Sequence, residues 1–162
     1  MHIKILNMAI IQFNQLTEEE KALIYLSPAI VSYLIGGADN DFDAEEREQS
    51  KHIVRLRTSV GDPILFEFFN EVEAGFESQL SVLEQQYGHL PAEERTHLLV
   101  LELTKLNDIL LKVDSLYARS FLKTLRSLAQ SVAEASGGLF GFLGVSYDEQ
   151  HLLGLNMITV EP

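Results

Sequence analysis

The residues best suited to chemistry lie in one run, Ile35 to Gln49, which reads IGGADNDFDAEEREQ. Asp39, Asp41 and Asp43 alternate, and Glu45, Glu46 and Glu48 follow. Alternating carboxylates suit a hard cation such as Ca²⁺, which takes about six to eight oxygen ligands, and the three aspartates match the first, third and fifth positions of an EF-hand loop. The match then fails. Ala44 stands where the sharp turn needs Gly, Glu46 where an apolar residue belongs, and Ser50 where the bidentate Glu is needed. An EF-hand is excluded. The same residues also spell a helix start: Asp43 and Glu46 have capping-box spacing, and acids in the first turn favour the helix dipole. A cation or partner site and plain helix grammar both remain open.

Other constellations are thinner. Glu45, Glu48 and His52 share one outer helical face, which reads as a solvated charged surface. Glu94-x-x-His97 and Asp148-x-x-His151 each set a carboxylate and an imidazole one turn apart. Helical di-metal carboxylate enzymes use such pairs with further Glu residues from two other helices. Only one pair here has the usual Glu, so a di-metal enzyme is the lesser alternative. No Gly-x-Ser-x-Gly elbow or P-loop is present, and no catalytic constellation is found. Phe66, Phe68 and Phe69 read as core, although packed helices can enclose an apolar pocket for a small molecule. That makes a small-molecule binder the first alternative.

These side chains are carried by 162 residues, enough for one domain that buries roughly 70% of its unfolded surface. Hydrophobic residues make up 46% and charged residues 22%. Both suit a packed core. The net charge of −12, from 24 acids against 12 bases, repels phosphate backbones, so nucleic acid is not an expected partner. Cations, basic protein surfaces (including one at a membrane) or a second copy of the chain fit better. There are no cysteines, which removes disulfides and thiolate chemistry and fits a reducing compartment. No apolar run reaches the ~18 residues of a spanning helix. The N-terminus lacks a small-residue cleavage site, so a soluble, cytoplasmic protein is expected.

The elements read as helical almost throughout. Thr17 with Glu20 forms a capping box, and Ser27-Pro28 reads as the start of a second helix with Pro at its first position. Asp43 with Glu46 opens a third helix whose stripe is Glu46, Gln49, Ile53, Leu56 and Val60. Asp62-Pro63 opens a fourth that runs past Gly75, and Leu90-Pro91 a fifth. The fifth is apolar on most sides from Leu98 to Val113, which predicts a central helix. A sixth spans about Ser115 to Ala135, and Ser146 with Glu149 caps a short last one. The segment Gly137 to Val145, GGLFGFLGV, reads as a loop tucking apolar residues inward, or as a docking loop. The expectation is an all-α domain of about seven helices over residues 17–162, after an N-terminal extension, 1–16.

The third and last helices share a pattern. Glu46 and Glu149 each begin a core-facing stripe directly after a loop, and Val31–Ala38 resembles Leu128–Ala135 before it. The chain reads as an internal duplication. Ala38-Asp39-Asn40, Phe42, Asp43 and the Glu45-Glu46 pair resemble the TerB-like tellurite-resistance proteins. Ala135-Ser136-Gly137-Gly138, the Phe-Gly-Phe segment and Ser146-Tyr-Asp-Glu149 are similar to that family's other half. The resemblance covers roughly residues 17 to 158. It implies a pseudo-twofold helical domain of bacteria, without catalysis, in a tellurite or stress-resistance setting. It also implies a divalent cation at an acidic cluster, here Asp39, Asp43, Glu46 and Glu149. Asn40 stands where the signature has Gly. Ser136 stands where the second copy has Asp, which takes one carboxylate from any site.

Overall fold

The computed structural model describes residues 10–38, 42–136 and 147–162, with the backbone alone at 147–149. The described residues form helices and no strands, so the all-α class holds. After a 3-10 turn at Ile11–Phe13 come α1 (Glu18–Gly36), α2 (Ala44–Leu56) and, past a second 3-10 turn at Pro63–Leu65, α3 (Phe66–Tyr87). Then follow α4 (Ala92–Thr104), α5 (Leu106–Leu110), α6 (Ser115–Ala135) and α7 (Tyr147–Leu153).

The expected start at Ser27-Pro28 does not exist: Pro28 lies inside α1. Proline has no N–H for the carbonyl four residues back, which would leave Ile24 O unsatisfied in the core. The Ser27 hydroxyl supplies the missing donor, giving its proton to Ile24 O at 2.7 Å. The helix therefore continues, and its residues Ser27 to Gly36 are all buried. This makes α1 the central helix, packed against α3 and α6 and reaching α2, α4 and α5. The Leu98–Val113 stretch is not central: it bends at Lys105 between α4 and α5, and Leu101 and Leu111 face outward.

One core runs through the domain. Phe68, Phe69 and Phe121 are buried, with Phe68 edge-to-face against both Phe69 and Phe121. Residues 10–16, read as an extension, add Ile10, Phe13 and Leu16 to this core, and the Phe13 ring meets Tyr25, Phe68 and Tyr117. The α3 helix runs unbroken through Gly75. Behind α7 the chain is fastened by its main chain. Arg126 donates to Gly154 O and Ile158 O, while Asn107 donates to Met157 O and accepts from the amides of Thr159 and Val160. Among the described residues no helix is long and apolar enough to cross a membrane.

Candidate functional site

The acidic run falls at the junction of α1 and α2, and the described residues on both sides of it are closely held. Gly37 caps α1, its amide donating to Tyr33 O at 3.0 Å. Carbonyls at a helix C-terminus lack intrahelical donors and carry the negative end of the dipole. Arg95 meets that need. Its guanidinium donates through Nη2 to Gly37 O at 2.6 Å and lies 5.8 Å from the centre of the Tyr33 ring. It is only 6% exposed. Burial pushes the Tyr33 phenol up from its usual range, with the Arg95 charge opposing.

Phe42 closes the junction from the other side. It is buried and sets its ring 5.3 Å from that of Tyr33, inclined by 63°. A Cβ on Gly36 would come within 2.8 Å of Phe42 Cε1, so this close approach needs glycine there. The next residue, Asp43, is extended and caps α2. Its Oδ1 accepts from the Glu46 amide at 2.8 Å, and Glu46 Oε2 accepts from the Asp43 amide at 2.9 Å. The expected capping box is present.

Of the four candidate ligands, Asp43 and Glu46 are thus brought together, and each gives a carboxylate oxygen to a backbone amide. Asp39 lies outside the described residues, as do the Glu149 side chain and the expected Ser146–Glu149 cap. The Gly137–Val145 loop lies outside them too. Among the described residues no group of three or more His, Asp or Glu is placed to hold a metal ion. Glu94 and His97 are exposed on α4, whereas di-metal sites are built inside a bundle.

The α2 stripe also needs correction. Leu56 is 44% and Val60 54% exposed, and the buried residues are Ser50 and Val54. The inward face is rotated from the expected one because cationic side chains lie along it: Arg47 pairs with Glu84, Lys51 with Glu77 at 3.2 Å, and Arg55 with Glu73 at 3.0 Å. A groove of about 710 Å³ follows this seam, lined by Lys51, Arg55, Glu73 and Glu77 and floored by Phe76.

Arg95 was missed in the sequence. Its signal was present: Arg95, Leu99, Leu103 and Leu106 recur at helical spacing on the inward face of α4 and its continuation. The chain matches no protein-family model, no curated protein and no solved structure.

Proposed function

We propose that the chain is a non-enzymatic, TerB-like helical module of the bacterial tellurite or stress-resistance type, acting in the cytoplasm. In this reading two similar helix–loop–helix halves face each other. The acidic junction is the binding surface, for a divalent cation or for the basic face of a protein partner. The observation that supports it is the clamp at the junction. Arg95 on Gly37 O, Phe42 over Gly36 and the Asp43–Glu46 box fix the chain on both sides of Asp39 and Asp41. Fixing the two flanks of a binding segment lowers the entropy lost when a ligand binds between them. With Asp43 and Glu46 each bonded to an amide, a cation site requires Asp39 and Glu149 to complete it.

Titration calorimetry with Ca²⁺, Mg²⁺, Mn²⁺ and Zn²⁺ tests the cation. One ion is expected to bind below about millimolar, and Asp39→Ala/Glu149→Ala is expected to weaken it at least about tenfold, the ~1.4 kcal/mol of a lost carboxylate contact. Neither substitution touches the Asp43–Glu46 cap, and Glu149→Ala should lower Tm only by the loss of the Ser146–Glu149 cap expected at α7. Absence of binding, or equal binding by the double variant, removes the cation and leaves the basic partner. Crosslinking to polybasic peptides, expected to fall in the same variant, then decides that second arm.

A further inference from the structure

The α2 helix is attached to its neighbours by different forces from those that hold α1, α3 and α6. It fully buries only Ser50 and Val54, with Ile53 half-buried against the core, whereas α3 buries seven residues and α6 nine. Even that small face is partly polar, since Ser50 Oγ and the neighbouring Arg57 Nε are buried without a hydrogen-bond partner. Beyond Val54 and Ile53, its cross-helix attractions to α3 are ionic. Arg47, Lys51 and Arg55 stand one turn apart and meet Glu84, Glu77 and Glu73 along the antiparallel α3. Arg57 adds hydroxyl contacts to Ser127 and Ser131 of α6, at 3.0 and 3.4 Å. The open groove along the seam lets water and salt reach the Lys51–Glu77 and Arg55–Glu73 pairs. Beyond α2 the linker to α3 contains Gly61 at φ 107°, where an added Cβ would meet nothing within 4 Å.

Apolar burial is indifferent to modest salt, whereas exposed ion pairs are screened once the Debye length falls to a few ångströms. Local opening starts in elements with few buried apolar contacts. We propose that α2 is a detachable flap. It leaves α3 and α6 as a unit, breaking the Arg57 contacts and swinging between the buried Phe42 at one end and the 58–62 linker at the other. Meanwhile α1, α3 and α6 stay folded, and ionic strength sets how often it opens. Opening uncovers Phe76 beside the acidic row Glu73, Glu77 and Glu84 of α3. The inference does not depend on what the acidic junction binds.

Hydrogen exchange of the full chain, read by mass spectrometry at about 10 mM and about 500 mM NaCl, tests it. Amides of 47–56 are expected to exchange at least about tenfold faster than those of 118–132 at low salt, after correction for intrinsic rates. The gap should widen about threefold at high salt, since the α6 amides report any global effect of screening the net charge. Equal exchange of the two helices, or a gap that salt leaves unchanged, overturns the proposal. Arg55→Glu is expected to widen the low-salt gap, and Arg55→Glu/Glu73→Arg to close it again. Should these variants fail to fold, the wild-type salt comparison decides alone.

Discussion

Two helices meet at the acidic junction, each opened by a capping box, and they keep their places by opposite means. In α1 the polar atoms carried into the core are satisfied from within the helix: Ser27 donates to Ile24 O and Ser32 to Pro28 O, at 2.7 and 2.8 Å. Every residue from Ser27 to Gly36 is then buried. In α2 the one buried serine has no partner, and the attractions lie at the rim. Exposed pairs of this kind contribute at most about 1 kcal/mol each, whereas burying one aliphatic side chain contributes about 1.5–3 kcal/mol. A helix can take polar side chains into a core if its own carbonyls receive them. Where they are not received, attachment stays weak.

The largest expected effect tests the apolar half of that contrast. Leu34→Ala, in α1, should cost about 2–5 kcal/mol in denaturant unfolding, because the filled core around it leaves a cavity. Val54→Ala, at the centre of the α2 face, should cost about 1.6 kcal/mol from the two methyl groups lost, or less where the flap relaxes. Similar losses at the two positions would break the comparison.

A smaller effect sharpens the polar half. Ser27→Ala leaves Ile24 O buried without a donor, an expected cost of about 1–3 kcal/mol. Ser50→Ala removes a hydroxyl that has no partner, so stability should move by less than about 0.5 kcal/mol, with a small gain allowed. Equal costs would mean that Ser50 has a partner in solution and that α2 is better tied than its contacts show.

The sequence made local grammar legible and tertiary substitution less so. The three expected capping boxes depend on residues three apart, and the two that lie on described residues are present with each reciprocal bond. Pro28 was misread because a helix interior normally rejects proline, and the rescue by Ser27 matters only when Ile24 O is buried. The α2 face was misread because Leu56 and Val60 were counted as anchors while arginine and lysine stems were not. Long cationic side chains can cover a seam while keeping their charges wet. At the junction, Asp43 and Glu46 were legible as a cap. Arg95 was hidden because charged residues are rarely buried, and only its register with Leu99 and Leu103 marked it.

The smallest effect tests the α1 cap by pH. Glu20, in the α1 box, also accepts from Lys112 at 2.8 Å. That hydrogen bond, followed by the one from the Thr17 amide, holds its carboxyl below the ordinary value of 4.5. A carboxyl lowered in the folded state stabilises it at pH above the unfolded value, and the gain is lost as pH falls through the folded value. The window therefore lies below about pH 4.5. Lys112→Met keeps much of the stem and removes the charge, so its Tm should lie slightly below wild type at about pH 7. The difference should shrink as pH falls below about 4.5 and Glu20 takes up its proton, in the variant before wild type. A difference that persists undiminished down to the acid unfolding of the two proteins would assign the Lys112 contribution to packing. The α1 start would then be held, like the rest of that helix, by apolar contact rather than by charge.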